Sequence, residues 1–510
     1  MRQRTERGSE RIEHGAAPVP FEGLRRHSFG LGGCPVGSMM IEVPEELNDF
    51  GVAVAAMVEA VREARTRAAA KGGRPMDYAA VEGALGEAAA RTEREGHQAV
   101  LQALDVDRET VEIEGARYRR VGRGPATYYT LAGPAVVERS LYREVGRRNA
   151  KVVDAVSLRA GVVADGWLPR TARAMAHEVQ KATSREAEAS ARETGRLPYS
   201  RSSFERVAHA VGAVFVSAHV AVEDALVEAY EVPAAARSIS VSLDRVSVPM
   251  EEPRARPMGR PRKGAALRPV ARNFRMAYCG TVTLHDGEGE ALHTIRYGRM
   301  PLGDATGLCE GMAGDVVVLL RKRSGLKLQL LCDGAPEMWN LLREQLSAEV
   351  FGAEVHELVD LCHVVEKLGK AAKAVHGDAT GGAVTQGWKL RLLNRSSAAS
   401  EIRAELQASG LENVSVGDEQ PVHDAITYLH NHDGRFDYAN ARRLGLPIGS
   451  GNVEATCKCL FNLRLKRSGS RWKEATGEHI VQLRALALSD RWGDALELTL
   501  RPLRRAVRAA

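Results

Sequence analysis

The spacing of apolar residues divides the chain into stretches with a helical period and stretches with a strand period. Within 45–110, apolar residues recur every three or four positions, which predicts a helical N-terminal region. Residues 111–153 alternate apolar and polar positions between Gly and Pro breaks and predict a small β-rich unit. Helical spacing returns in 154–232. Residues 1–44 are rich in Arg, Gly and Glu without any period, so we expect a flexible basic start.

At residue 233 the pattern changes to that of a mixed sheet. The stretch ISVSLDRVSV alternates and predicts a strand with Asp244 at its middle, followed by two more strands and a helix. The apolar stretch LKLQLLCD predicts a fourth strand that ends on Asp333, and a helix and a fifth strand complete this core at 360. Three meandering strands followed by strand–helix units predict an α/β core, a mixed sheet with flanking crossover helices.

Three further stretches follow the predicted core. Residues 361–440 carry a helical and polar pattern and predict a helical insertion. In 441–495, the glycine-rich turn LPIGSG opens another helix, NVEATCKCLFNLRLK. Residues 496–510 are a basic tail.

Composition alone excludes few classes of protein. The 510 residues include 71 basic and 65 acidic side chains, and a net charge of +6 is weak evidence for a polyanionic partner. No run of eighteen apolar residues and no apolar stretch after the basic start are found, so neither a membrane span nor a secretory signal is expected. Seven dispersed cysteines argue against a disulfide framework and favour a reducing cytoplasmic location. Cys457 and Cys459 are expected to be buried thiols.

Three acidic residues stand out by their placement among the 65 of the chain. Asp244 sits among the apolar residues of its strand, where an unpaired charge is costly. Asp333 closes an apolar strand, and sites open at the carboxyl ends of strands in open sheets. Glu454 lies in the first turn of the helix that the glycine turn opens. Each acid alone is explained by a cap or a surface charge, whereas the three together favour a metal site.

Hard divalent cations such as Mg²⁺ or Mn²⁺ take oxygen ligands. Two such ions about 4 Å apart clamp the attacking and leaving oxygens of an in-line phosphoryl displacement. Carboxylates that converge from a strand middle, a strand end and a helix suit that task.

The sequences around these acids resemble the three active-site blocks of DDE transposases, and most closely those of the Kra-type insertion-sequence family. The matching blocks are SVSLDRVSVPME, LLCDGAPEMWNLL and LPIGSGNVEATCK with the tail RLKRSGSRW, and the similarity extends over about 112–495. The resemblance implies a ribonuclease-H-like core in which Asp244, Asp333 and Glu454 hold two Mg²⁺ (or Mn²⁺) ions. The stretch from Asp360 to His363 is similar to a D-x-x-H element that several transposase families place beside the active site; a buried core histidine is the alternative for His363.

Basic residues follow the third acid closely. Lys458 falls one turn after Glu454 on the same helix face, within reach of a phosphate. The cluster that comes next, in which we expect DNA contacts, consists of Arg464, Lys466, Arg467, Arg471, Trp472 and Lys473. The alternative is a solvated helix end with Trp472 packed inward.

Two features that precede Asp333 in the sequence also suit DNA. A helix, a short turn and a capped helix with Arg201 and Arg206 near its start are typical of a helix-turn-helix, and ordinary helical packing is the alternative. Gly259, Arg260 and Pro261 lie in a proline- and arginine-rich stretch that suits either a minor-groove hook or a mobile basic loop.

The resemblance implies a bacterial, nucleoid-associated DNA transposase that cuts at terminal inverted repeats and transfers strands into target DNA. A homodimer on double-stranded DNA is expected because two ends must be processed. No nucleoside triphosphate is needed, and no G-x-x-x-x-G-K-[ST] loop is present. The alternatives are a structure-selective nuclease of the same fold, and a non-catalytic or decayed transposon-derived DNA-binding protein.

Overall fold

The computed structural model describes residues 24–28, 40–252 and 271–510. Most of the predicted flexible start, and the stretch with Gly259, Arg260 and Pro261, lie outside the described residues.

The described strands and helices alternate along the chain much as the periodicity predicts. The strands are β1 (Leu24–Ser28), β2 (Met40–Pro44), β3 (Thr110–Ile113), β4 (Ala116–Thr130), β5 (Gly133–Glu144), β6 (Val153–Asp154), β7 (Ser238–Glu252), β8 (Ala271–His285), β9 (Ala291–Arg299), β10 (Lys327–Cys332), β11 (Val355–Val359) and β12 (Val507–Ala509). The N-terminal helices are α1 (Asn48–Ala70), α2 (Tyr78–Gln102), α3 (Ala155–Ala160), α4 (Pro169–Lys181), α5 (Ser184–Thr194) and α6 (Arg201–Ala229).

The remaining helices are α7 (Ala305–Lys322), α8 (Pro336–Leu346), α9 (Ala348–Phe351), α10 (Leu361–His376), α11 (Asp378–Asn394), α12 (Ala398–Ala408), α13 (Pro421–Asn431), α14 (Tyr438–Arg443), α15 (Gly451–Cys457), α16 (Leu463–Leu465), α17 (Glu474–Leu488) and α18 (Trp492–Leu500). A π-helical turn at Lys458–Asn462 joins α15 to α16, and short 3₁₀ turns lie at Glu45–Leu47 and Arg501–Leu503.

The central sheet has five strands in the order β11-β10-β7-β8-β9. The first three along the chain, β7, β8 and β9, form an antiparallel meander, whereas β10 and β11 run parallel to β7. The parallel pairings require crossovers, which α7 and α8–α9 supply. The predicted α/β core with a mixed sheet and flanking helices is therefore confirmed, and this strand order is consistent with a ribonuclease-H-like core.

Strand β7 changes its buried face near its middle. Ile239, Val241 and Leu243 belong to the core beneath α7 and α8, whereas Val246 and Val248 belong to a second core beneath α6 and α17. Because side chains alternate between the faces of a strand, this change occurs without any shift in register. Asp244 lies at the change, on the face of the sheet that α15 covers.

Helix α6 is the central helix of the N-terminal side, packed against α4, α5, α7, α17 and α18. Phe204, Val211 and Phe215 are among the buried side chains it contributes to the second core. Within the described part of the chain, α6 is also the one helix that meets the length and apolarity of a membrane span, on those two criteria alone. The absence of a membrane partner accordingly stays a prediction.

A second five-stranded sheet, ordered β12-β3-β4-β5-β6, forms the predicted β-rich unit. Its edge strand β12 comes from the basic tail and pairs antiparallel with β3, where Val507 lies opposite Ile113. The C-terminal tail is thus joined to the β-rich unit in one sheet, which was not predicted from the sequence. The domain boundaries given above stay predictions.

A buried ion pair joins the central sheet to the C-terminal helices. Arg491, at the start of α18, places Nη1 3.3 Å from Oδ2 of Asp315 on α7, and Tyr297 of β9 donates its hydroxyl to the same oxygen at 2.5 Å. The Asp315 and Arg491 side chains are only 2% and 8% exposed. Burial raises the pKa of the Asp315 carboxyl, and the positive charge of Arg491 opposes that shift.

Replacement of Asp315 by Ala is expected to lower the free energy of unfolding by about 3–5 kcal/mol, because it leaves the Arg491 charge buried and unpaired. Thermal or urea unfolding measures this loss. Glu310→Ala, on the exposed side of the same helix, is the matched control and should change stability little. Equal destabilisation by the two variants would contradict this role for the pair.

Candidate metal and nucleic-acid site

Asp244 and Asp333 are neighbours across two parallel strands. The β7–β10 ladder pairs Ser238 with Lys327 and continues to Val241 opposite Leu330. The same offset, extended three residues beyond the paired positions, would bring Asp333, which follows β10, beside Asp244, and the charge of Asp333 acts on the Asp244 carboxyl. Adjacent strands are about 4.8 Å apart, so the two carboxylates start from neighbouring positions at one edge of the sheet.

The Asp244 carboxylate is half-buried and partly engaged. Oδ1 accepts the backbone N–H of Arg245 at 2.6 Å, and Oδ2 lies 3.3 Å from the Sγ of Cys457 on α15. Burial raises the pKa of the Asp244 carboxyl, and the negative charge of Asp333 adds to the shift. The two hydrogen bonds and the nearby His363 oppose it. A carboxylate beside another carboxylate is a poor place for negative charge until a cation joins them.

Asp333 stands at the start of a tight turn after β10. Its Oδ1 accepts the backbone N–H of Ala335 at 2.9 Å, and the Tyr428 hydroxyl of α13 donates to its carbonyl oxygen at 3.3 Å. Gly334 adopts a φ of +114°, and a Cβ there would lie 2.6 Å from the Tyr428 hydroxyl oxygen. Glycine is therefore required for this turn both by its φ and by the approach of α13.

Glu454 and His363 form the other part of the site. His363 Nε2 lies 3.3 Å from Glu454 Oε1, and their side chains are 40% and 52% exposed. The alternative of a buried core histidine therefore does not fit His363. His363 is also near enough to Asp244 to oppose the rise in the pKa of that carboxyl.

Asp360 connects the elements that carry His363 and Glu454. Its side chain is 1% exposed and caps α10, with Oδ1 accepting the backbone N–H of His363 at 3.0 Å. Its Oδ2 accepts the backbone N–H of Ser450 in the glycine turn before α15. The backbone N–H of Leu361 donates to the carbonyl of Ile448 at 3.1 Å, in the same turn. One carboxylate thus fixes the starts of both helices.

The donors present are of the type that a hard divalent cation takes. Within the described residues, one group of three possible ligands has its donor atoms within 4.8 Å of one another, namely Asp360, His363 and Glu454. Both oxygens of Asp360 already accept backbone N–H groups, so we assign it to positioning. The predicted set of Asp244, Asp333 and Glu454 does not converge to that distance here, yet its carboxylate oxygens fit Mg²⁺ or Mn²⁺ in chemistry. Glu454 belongs to both sets.

The basic residues after Glu454 divide into exposed and buried ones. Lys458 and Lys473 are exposed, as is Arg471, and Lys466 is half-buried. Arg467 pairs with Glu186 of α5, which joins this segment to the predicted helix-turn-helix.

Arg464 and Trp472 differ from the expectation of DNA contact. Arg464 is 5% exposed, donates to the Val179 carbonyl at 3.1 Å, and stacks its guanidinium 4.9 Å from the Trp472 ring centre. Burial lowers the pKa of Arg464 to about 10. Trp472 is half-buried and donates its Nε1 to the Leu465 carbonyl at 3.1 Å. A guanidinium this buried is not accessible to a phosphate, so Arg464 is removed from the residues expected to contact DNA. Trp472 is packed inward, in agreement with the alternative stated for it above.

The predicted helix-turn-helix consists of α5, a turn through Gly195 in the left-handed region, and α6, capped by Ser200. Arg201 and Arg206 are exposed on the first turns of α6, and Arg201 donates to the Ser184 hydroxyl at 3.3 Å. A role in DNA recognition stays a prediction for both.

Two contacts at the site were missed by sequence reasoning. The Cys457 thiol was expected to be merely buried, yet it contacts Asp244. Tyr428, from the predicted insertion, reaches the turn after Asp333. Nothing local in the sequence signals either contact, whereas an aspartate directly before a helix, as at Asp360, is a recognisable cap.

No protein-family model matches this chain, and no curated protein does so either. Among solved structures, the chain has a distant likeness to a Drosophila P element transposase strand transfer complex. The sequence identity is 12% and the TM-score is 0.23, over 66% of this chain and 83% of that chain. A likeness this weak carries no argument about function.

Replacement of Asp360 by Ala is expected to remove the α10 cap and to release the turn before Glu454. The loss of a buried acceptor for two N–H groups should cost about 1–3 kcal/mol in unfolding free energy and weaken Mn²⁺ binding. Calorimetric unfolding and Mn²⁺ titration measure the two effects. Asp437→Ala, which removes the equivalent cap of α14, is the control and should leave Mn²⁺ binding unchanged. Unaltered Mn²⁺ binding in Asp360→Ala would refute the positioning role.

Proposed function

We propose that this chain is a DDE transposase of the Kra-type insertion-sequence family, which cuts DNA at transposon ends and transfers the strands into target DNA. The observation that supports the proposal is the parallel pairing of β7 with β10, whose register leads toward Asp244 and Asp333, together with the Glu454–His363 pair. The block sequences quoted above support the family assignment. The chemistry follows from the arrangement of carboxylates.

Asp244 and Asp333 would together hold two Mg²⁺ (or Mn²⁺) ions, and Glu454 would complete one of the two sites. When bound, the ions supply Lewis-acid activation of water and stabilise charge on the scissile phosphate. The proximity of Asp244 to Asp333, which disfavours their shared negative charge, suits them to receive cations.

The other residues act on the acids or on the DNA. His363 lies against Glu454 and orients its carboxylate, while Asp360 holds the turn from which α15 begins. Lys458, one turn after Glu454 and exposed, is placed to contact a phosphate of the strand being cut.

The proposed reaction has two phosphoryl transfers. Water attacks a phosphodiester at the transposon end, and the bond between phosphorus and the 3′ oxygen breaks, which leaves a 3′-hydroxyl and a 5′-phosphate. That 3′-hydroxyl then attacks a phosphodiester of the target, forms a new bond to phosphorus and releases a target 3′-hydroxyl. The number of phosphodiester bonds is conserved in the second step, so no nucleoside triphosphate is consumed.

The DNA would contact two surfaces. Lys458, Lys466, Arg471 and Lys473 would bind backbone phosphates near the acids, and Arg201 and Arg206 on α6 would help to read the terminal inverted repeats. Because two ends must be cut, the active form would be a homodimer on DNA. In the cell, it would work on DNA in the bacterial cytoplasm, at the nucleoid.

Metal-dependent cleavage tests the proposal. Purified protein, a plasmid with the DNA that flanks its gene, and Mg²⁺ or Mn²⁺ should give 3′-hydroxyl ends at inverted repeats and joined target products. Asp244→Asn, Asp333→Asn and Glu454→Gln should each lower the rate by at least about 100-fold, because each removes a ligand that acts on the developing charge. Gel mapping of ends and sequencing of junctions measure both steps.

Glu366→Gln, an exposed acid on α10 one turn beyond His363, is the control and should cut normally. Cutting without joined products would instead indicate a nuclease of this fold. Repeat binding without cutting, unaffected by the acid variants, would leave a non-catalytic DNA-binding protein.

The salt dependence of DNA affinity distinguishes exposed basic side chains, which contact phosphates, from buried ones, which do not. Each lost phosphate contact lowers the slope of log K against log salt by about 0.9. The double variant Lys458→Ala, Lys473→Ala should therefore reduce the slope by about 1.8. Arg464→Ala should leave the slope unchanged and lower the melting temperature, since Arg464 is buried. Fluorescence anisotropy across a salt series measures the slopes. An equal change of slope in both variants would contradict the assignment of Lys458 and Lys473, but not Arg464, to phosphate contact.

A further inference from the structure

An acidic cavity lies apart from the residues of the metal and nucleic-acid site, between α6, α7 and α17. Its volume is about 730 Å³. That size is within the range of small-molecule pockets. The acidic residues that line it are Glu223, Asp224, Asp304, Glu310, Asp315, Glu474 and Glu478, of which Asp315 is paired with Arg491.

Most of these carboxylates lack a cationic partner. Arg299, the arginine of the lining, is 7% exposed and lies 3.9 Å from Glu478. Within the described residues, no ion pair is formed by Glu223, Asp224 or Glu310. Such an excess of negative charge around one cavity is unfavourable unless a cation enters it.

Two of the carboxylates, both half-buried, have oxygen atoms that accept no hydrogen bond. Oε1 of Glu474 accepts the Leu302 backbone N–H at 2.7 Å, while its Oε2 is buried and accepts no hydrogen bond. Glu223 is half-buried, lines the cavity, and forms no hydrogen bond within the described part of the chain. Burial raises the pKa of the Glu223 carboxyl to about 7, against the opposing charge of Arg299. A carboxyl so placed gains most from a cationic partner.

The floor and rim of the cavity are small or apolar. Gly311 and Gly314 of α7 line it, and a Cβ on either would meet no atom within 4 Å. Val220 and Leu302 stand at the same cavity with 61% and 71% of their surface exposed. Acidic walls with an apolar floor suit a ligand that carries both ammonium groups and methylene segments.

A bare metal ion suits the cavity less well than an organic cation. None of its acids belongs to a described group of three ligands whose donor atoms lie within 4.8 Å of one another. We propose that the cavity between α6, α7 and α17 binds a linear aliphatic polyamine, with ammonium groups at Glu223 and Glu474 and methylenes along Gly311 and Leu302. The ligand would bind independently of the DNA chemistry proposed above.

Isothermal titration of the full chain with spermidine, in buffer containing MgCl₂, tests the site. One spermidine should bind per chain, and Glu223→Gln should weaken it at least tenfold. Gly311→Leu should do the same by filling the floor, and because a helical glycine is replaced by a better helix former, that variant should remain folded. Glu349→Gln, an exposed acid on α9, is the control and should bind as the wild type does.

The proposal is overturned if no spermidine binds, or if Glu223→Gln and Gly311→Leu bind as tightly as wild type. If Asp333→Ala loses spermidine binding while Glu223→Gln keeps it, spermidine binds at the proposed metal-binding acids and not in this cavity. Binding of an oligolysine peptide without binding of spermidine would assign the cavity to a protein partner instead.

Discussion

The parallel pairing of β7 with β10 is the constraint on which the site depends. It joins stretches that lie 89 residues apart and directs the end of β10, which Asp333 follows, toward Asp244. Parallel neighbours need a crossover, and the meander β8–β9 with α7 supplies it while covering one face of the sheet. The buried pair of Asp315 and Arg491 then fixes α7 to the C-terminal helices, so the position of the acids depends on packing well beyond the two strands.

The helix acid reaches the sheet through a second constraint, the Asp360 carboxylate. The N–H groups that it accepts belong to α10 and to the turn before α15, which are separated in sequence by α11–α14. The insertion also returns to the site through Tyr428, which contacts the turn after Asp333. The helices of 361–440 therefore do more than extend the chain between the second and third acids, since they support both turns from which Asp333 and Glu454 emerge.

The sequence predicted those parts of the fold that local periodicity determines. Strand alternation located Asp244, and the end of an apolar run located Asp333, because both signals lie within a few residues. The pairing of β12 with β3 was missed because it joins residues almost 400 positions apart. Arg464 was misplaced for a different reason. It was assigned to DNA contact because it stands in a cluster of basic residues, and such a cluster does not show which member is buried, here against Val179 of α4 and Trp472.

The proposed chemistry requires that Asp244 and Asp333 hold a divalent cation between them. The most direct measurement is a crystal structure of the protein soaked in Mn²⁺, with anomalous scattering used to locate the ion. We expect an anomalous peak in contact with carboxylate oxygens of both Asp244 and Asp333, and we expect this peak to be lost in Asp333→Asn. A peak confined to Asp360, His363 and Glu454, or no peak at all with the acids intact, would contradict it.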